Sequence, residues 1–300
     1  MTQNHRNSLP EVSLNDKLAR AIGSSKLLPR KIRATILKAL VGTYSSSEGR
    51  SFQVTLFGHP FSGATNSHID WYVYYFGAYD EVGTNLLRFI AKQIERPVFL
   101  DIGANEGTHS LAVLDYCDEV HCFEPFPTAL QILQQHLAPS KHPKVTIHEL
   151  GMSTKNESLS FYANREGNLG AGTFEPQDRE PDFELKVVNG DEYLAANIPK
   201  FDLVKVDVEG HEISVLTGMR QSLITHRPIV LWELNPTDDV KNQNIVDATF
   251  PTNYTHFRVG FQGRWTRARP SLRKLTSFEF GNVLSIPNET TSMIAELINP

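Results

Sequence analysis

Residues 99–107 read FLDIGANEG. A short apolar run ends on Asp101, and Gly103 and Gly107 follow at once. Two physical demands produce such a stretch. A tight turn needs glycine where the backbone takes left-handed angles; a ligand that touches the backbone needs glycine where a side chain would intrude. The flanking sequence bears on the choice. VFLDI (98–102) is apolar without alternation, the pattern of a strand buried on both faces. HSLAVLDYC (109–117) has helical spacing, EVHCFEP (119–125) reads as a second strand, and PTALQILQQHL (127–137) as a helix with Pro127 near its start. KVTIHEL (144–150), FDLVKVDV (201–208) and PIVLWELN (228–235) continue as strands, with the helix SVLTGMRQSLI (214–224) before the last. YTHFRVGF (254–261) and NVLSIP (282–287) read as closing strands. Alternation of buried strands and helices predicts an α/β fold with a doubly wound, mostly parallel, seven-stranded sheet.

The chain ahead of this domain differs in character. Residues 1–50 read as a basic helical N-terminal extension, with PRKIRATILKALV (29–41) its clearest helix and GTYSSSEGRS (42–51) a linker. Residues 51–96 read as lead-in elements. FQVTLFG (52–58) and HIDWYVYYF (68–76) are rich in β-formers and predict a hairpin, and NLLRFIAKQI (85–94) predicts a helix closed by Pro97. The main domain is expected over 97–300. Its long insertion, 151–200, predicts an extra hairpin on the rim of the sheet, where insertions shape pockets.

With 40% hydrophobic and 21% charged residues in 300, the chain has the composition of a soluble globular protein with a sizeable core. No apolar run is long enough to span a bilayer, and the first twenty residues carry no apolar leader. Two cysteines, Cys117 and Cys122, cannot make a disulfide framework, so a reducing, cytoplasmic setting is expected. The net charge of −5 is unevenly spread: residues 1–44 hold eight basic and two acidic residues, leaving the remainder at about −11. The basic front is a solvated helix face, or a surface for a membrane, an acidic partner or another subunit; a homo-oligomer through this extension is one expectation. An acidic main domain argues against a nucleic-acid substrate.

Ligands of open α/β sheets sit beyond the carboxyl ends of the strands, where FLDIGANEG lies. Its pattern, D-x-G-x-x-x-G, lacks the middle glycine of a dinucleotide fingerprint because position 105 is Asn. That favours a smaller anionic tail than a pyrophosphate. Glu124 closes the second strand, where an acid can accept hydrogen bonds from both hydroxyls of a ribose; it would equally suit the start of the next helix. Pro125 and Phe126 could flank an adenine ring. A nucleoside joined to a small anionic tail has the shape of S-adenosylmethionine.

FLDIGANEGTHSL, CFEPFP, DLVKVDVEGHEISVLTGM and PIVLWELN together resemble the FkbM-type methyltransferases, over roughly residues 77–262. VDVEGHE, following the glycine loop in that order, is the most specific piece. The resemblance implies a class I methyltransferase-like sheet, S-adenosyl-L-methionine as cofactor, and O-methylation of a small-molecule hydroxyl on a sugar, glycolipid or polyketide-type natural product. Two positions depart from the family pattern: His109 stands where an aromatic residue is frequent, and Asp80 where glutamate is usual. The candidate cofactor-binding residues are Asp101, Gly103, Ala104, Asn105, Gly107, Thr108, Glu124, Pro125, Phe126, Gly151 and Asp207.

Methyl transfer to an alcohol needs alignment of the nucleophile and gains from a base. KVDVEGHE places Lys205, Asp207, Glu209 and His211 at the end of the fourth strand, and these are the candidate catalytic residues. Glu209 or His211 is the expected base. Lys205, two residues from Asp207, shares its strand face and needs a partner in a buried strand; Asp207 or Glu233 could supply it. The same cluster could be a structural lysine–carboxylate pair with a helix cap. Asp207, Glu233 and Asn235 form an all-oxygen set of the type that holds Mg²⁺ or Ca²⁺, but nothing in the sequence brings them together, and no metal is assigned. Arg264, Arg267, Arg269 and Arg273, with Trp265, could hold an anionic or sugar group from the loop 260–274, and NREGNLGAGTF (164–174) could form a lid. Two other classes compete: an NAD-dependent oxidoreductase on the same sheet, which Asn105 disfavours, and a non-catalytic nucleoside-binding module.

Overall fold

The structure is a computed structural model that describes residues 13–25, 27–164, 172–234, 246, 249–262, 269–276 and 280–298. These divide into two units, one ending at Tyr79 and one starting at Asp80.

The first unit contains α1 (Leu14–Ser24), α2 (Arg30–Val41), β1 (Ser51–Leu56), β2 (His59–Ala64) and α3 (His68–Phe76). The Ser13 side chain caps α1 by accepting from the Asp16 N–H. Asp16 is buried beneath α1, where it pairs with Arg50 and accepts from the Tyr75 hydroxyl at 2.7 Å. The expected hairpin is present, but its second strand is 59–64; residues 68–76 are a helix, contrary to the β reading of HIDWYVYYF. Phe57 (φ 53°) and Gly58 (φ 99°) both take left-handed backbone, the geometry of a two-residue turn that pairs β1 with the segment directly after it. With β1 so paired, 68–76 buries Ile69, Trp71, Val73, Tyr74 and Tyr75 as a helix, and Gly77 ends it in a left-handed cap. Aromatic and β-branched residues yield here to packing.

The second unit follows the expected alternation: α4 (Glu81–Ala91), β3 (Val98–Ile102), α5 (Thr108–Val113), β4 (Glu119–Phe123), α6 (Pro127–Leu137), β5 (Val145–His148), then an insertion of β6 (Gly151–Ser153), β7 (Glu157–Phe161), β8 (Phe183–Asn189) and α7 (Gly190–Asn197). The chain resumes with β9 (Leu203–Val206), α8 (Glu212–Gly218), α9 (Arg220–His226), β10 (Ile229–Leu234), β11 (Tyr254–Gln262), β12 (Arg269–Lys274) and β13 (Gly281–Pro287). The main sheet runs β12-β11-β13-β10-β9-β3-β4-β5, parallel from β10 to β5 and antiparallel through β11, β12 and β13. It is thus the expected doubly wound sheet with an eighth strand at its edge. That strand, β12, arises from residues expected to form a loop; it pairs Phe257–Gln262 with Lys274–Arg269. The core lies under both faces of the central strands, with Phe123, Phe201, Trp232 and Phe250 fully buried. Cys117 and Cys122 are free and buried, and burial raises both thiols, Cys117 to about 12.

The insertion forms its own sheet, β6-β8-β7, whose β7–β8 pairing is the expected hairpin. Phe161 and Phe183 pack on Phe126, which follows β4, and Phe174 packs on His211, which follows β9. The insertion therefore meets two of the loops at the carboxyl end of the main sheet.

Candidate active site

β3, β4 and β9 end side by side, and their terminal loops are fastened to one another. The N–H groups of Gly103 and Ala104 both donate to the Phe123 carbonyl, each at 3.0 Å, and the Asp207 N–H donates to the Ile102 carbonyl at 3.1 Å. Gly103 (φ 76°) and Gly107 (φ 83°) take left-handed backbone. A Cβ on Gly103 would overlap the Asp207 carbonyl, and one on Gly107 would come within 2.6 Å of Leu137 and 2.8 Å of Leu133. Gly103 is thus demanded by neighbouring backbone and Gly107 by its left-handed angles, before any ligand arrives.

Asp101 is fully buried and serves as an anchor beneath that loop. Its Oδ2 accepts from the Ser110 hydroxyl at 2.7 Å, and its Oδ1 lies 3.3 Å from Lys205 Nζ. Lys205 is 5% exposed; it donates to the Gly103 carbonyl at 2.7 Å and lies 3.7 Å from Asp207 Oδ2. Burial alone would depress this ammonium, but Asp101 and Asp207 outweigh it and raise its pKa. Asp207, one of the two partners expected, is thus present, and the nearer partner is Asp101. Parallel register sets it directly beside Lys205 on the neighbouring strand.

Glu124 directly follows β4 and is 7% exposed. Its Oε2 accepts from the Asn105 N–H at 2.8 Å and its Oε1 from the Phe126 N–H at 2.9 Å. Burial pushes its pKa up to about 7, against these two N–H donors. Asn105 takes φ 50°, and its amide oxygen is buried without a hydrogen-bond partner among the described residues. Pro125 lies within van der Waals reach of a Cβ placed on buried Gly151, which begins β6. Thr108 and His109 open α5, both buried; His109 Nε2 lies 3.5 Å from Asp80 Oδ2.

The VDVEGHE loop is closed by its own last residue. Glu212 is 2% exposed; Oε1 accepts from the Val208 N–H at 2.9 Å and the Gly210 N–H at 3.1 Å, and Oε2 also accepts from Gly210. Glu209 is held at φ 54°, a strained conformation for a residue with a Cβ, and its carbonyl accepts from the Thr173 hydroxyl at 3.1 Å. Its carboxyl is raised to about 8 by burial first and then by Asp207, Glu233 and Glu212. Glu233 is raised to about 7 by burial and by Asp207 and Glu212. His211, the other expected base, shares a 3.0 Å hydrogen bond between its Nε2 and the Ser153 hydroxyl, and burial lowers its pKa.

Oxygens of Asp207, Glu212 and Glu233 lie within 4.8 Å of one another, so this trio could hold a divalent cation. Two of the three are the acids named for such a set from the sequence; Glu212 is the third. Asn235 lies outside the described residues, as do Arg264, Trp265, Arg267 and most of the 164–174 segment. Arg269 and Arg273 belong to the edge strand β12. Ser153 and Thr173 carry no signal in the sequence, because they reach His211 and the Glu209 carbonyl across 58 and 36 residues; Asp80 stands out there only as a departure from the family pattern, and Ser110, nine residues from Asp101, carries no mark of its contact.

The sequence profile of the Methyltransferase FkbM domain matches residues 101–258. The chain is 29% identical over 141 residues to the hexuronic acid methyltransferase AglP of Haloferax volcanii, covering 46% of this chain and 57% of AglP. It is 24% identical over 160 residues to the 2-O-methyltransferase NoeI of Sinorhizobium fredii, covering 47% of this chain and 65% of NoeI. Among solved structures, a methyltransferase FkbM from Methylobacillus flagellatus aligns with 18% identity and a TM-score of 0.42, over 64% of this chain and 44% of that one. The O-methyltransferase TomG from Streptomyces achromogenes, in complex with SAM, aligns with 13% identity and a TM-score of 0.40, over 68% and 79%.

Proposed function

Because the chain belongs to the FkbM methyltransferase family, we propose that it is an S-adenosylmethionine-dependent O-methyltransferase acting on a hydroxyl of a sugar or a sugar-bearing compound. The family match supports the reaction class. The two curated relatives, one acting on a hexuronic acid and one a 2-O-methyltransferase, support a sugar-type acceptor. The observation that carries the cofactor assignment is Glu124. Each of its oxygens accepts a single backbone N–H, so each keeps one acceptor position, the number that the paired hydroxyls of a ribose require. The unsatisfied amide oxygen of Asn105 suits the ammonium of the methionyl tail.

The bound cofactor supplies a methyl group on a positively charged sulfur. The protein must hold the acceptor oxygen in line with that methyl and take its proton. Glu209 is the base on this reading. Its ionised form, which predominates above about pH 8, is basic enough to take the proton of an alcohol. His211 is engaged by Ser153 through its Nε2. Lys205 is a positioning residue that fixes the Gly103 loop rather than touching the acceptor.

The test is incubation of the full chain with a labelled methyl donor and a panel of glycosides and hexuronates, read by mass spectrometry. Gain of one methyl on a sugar hydroxyl is the expected result. Donor binding with no product from any acceptor would make the chain a non-catalytic nucleoside-binding module instead. Glu209→Gln should lower kcat by about 10²–10⁴-fold with donor affinity little changed. Activity should survive EDTA; loss on EDTA with recovery on added Mg²⁺ would transfer hydroxyl activation to a cation on Asp207, Glu212 and Glu233.

A further inference from the structure

Helix α1 turns its apolar side away from the unit it belongs to. Its buried positions are Asp16, Ala19 and Gly23. At 3.6 residues per turn, Leu14 and Leu18 fall on the opposite face, and there they are 81% and 48% exposed. Leu27, in the connection to α2, is 77% exposed, and Ile32 on α2 is 43% exposed. The exposed charges of the described positions of 13–44 are of one sign. The only acidic residue among the described positions of 13–44 is Asp16, which is buried and paired with Arg50. Lys17, Arg20, Lys31 and Lys38 are all exposed.

Exposed aliphatic side chains on a segment whose exposed charges are all cations are the composition of a helix that lies in a membrane interface. A protein–protein contact is a poorer fit, since lysine is depleted from such interfaces. On the Lys17 and Arg20 side of α1 a cavity of about 350 Å³ opens between α1, β1 and the end of α3, with Lys17, Arg20, Thr55 and Tyr74 in its wall. Its two cations suit a phosphate ester.

We propose that the first unit docks on an anionic phospholipid surface, with Leu14 and Leu18 entering the acyl boundary and a headgroup phosphate held by Lys17 and Arg20. The test is co-sedimentation of the full chain with phosphatidylcholine vesicles, with or without phosphatidylglycerol. Sedimentation should require phosphatidylglycerol and weaken as salt is raised. Leu14→Ser with Leu18→Ser, and separately Lys17→Glu with Lys31→Glu, should each reduce partition on the order of tenfold while melting like the parent. Equal partition onto neutral vesicles, or none onto anionic ones, overturns the proposal. So does binding of inorganic phosphate at Lys17 and Arg20 without vesicle binding, which would make the cavity a site for soluble phosphate esters. Self-association in the absence of lipid, abolished by the leucine variant, would assign the face to a second copy of this chain and overturn it equally.

Discussion

Lys205 Nζ stands 3.3 Å from Asp101 Oδ1 at register-paired positions of β9 and β3, with both residues at 5% exposure or less. The pair sits beneath the site, and through the Gly103 carbonyl it sets the height of the loop above. Removing one partner leaves a buried charge uncompensated, which costs about 3–5 kcal/mol. Lys205→Met should therefore lower unfolding free energy by that amount in urea titration. A loss under about 1 kcal/mol would mean that Asp101 finds another partner or is protonated at little cost.

Gly103 separates the two explanations for glycine in the loop. The Asp207 carbonyl occupies the space of a Cβ there, and φ is 76°. Gly103→Ala should destabilise the ligand-free protein by at least about 1–3 kcal/mol. If the glycine served only to admit a ligand, the ligand-free variant would melt with the parent and lose donor affinity alone. Differential scanning calorimetry with and without S-adenosylhomocysteine tells these apart.

Glu124 should govern donor affinity. Glu124→Ala removes a carboxylate that can accept two ligand hydroxyls and frees the two loop N–H groups it now receives. Hydrogen bonds to charged groups contribute about 1.5–3 kcal/mol each, so Kd for S-adenosylhomocysteine should rise at least about tenfold by calorimetry. Parental affinity in a folded variant would dismiss Glu124 as the ribose ligand.

Buried carboxyls make the ligand-free protein sensitive to alkali. Glu124 and Glu233 are raised to about 7 and Glu209 to about 8, from an ordinary 4.5. The folded state thus holds protons that the unfolded chain has already released, and stability falls as pH rises through 7 and 8. Histidines act in the other direction: burial lowers His148 to about 4 and also lowers His68, His121 and His211, so their contribution is lost only as pH drops below about 6.5. The melting temperature should decline between pH 6.5 and 8.5, and Glu209→Gln should flatten the upper part of that decline. A melting temperature that rises over this interval contradicts the burial of these acids.

The order of strands and helices from β3 onward was legible in the residues themselves. Doubly buried strands are continuous apolar runs, helices repeat at 3.6, and proline and glycine mark the joints, so each element declares itself within its own length. So was the placing of Glu124 and the VDVEGHE acids at strand ends, since both follow from where an apolar run stops. What only the tertiary structure decided involves segments distant in sequence. HIDWYVYYF carries strand-forming residues, yet it is a helix because β1 pairs with β2 and leaves it to pack. Residues 269–274 became an edge strand because β11 offered an unpaired edge. Lys205 met Asp101 and the Gly103 carbonyl, 102 residues away, because strand register set them side by side. A sequence specifies local geometry through the chemistry of near neighbours; which buried charge meets which, and which backbone a glycine must clear, is fixed only when separate strands are laid against each other.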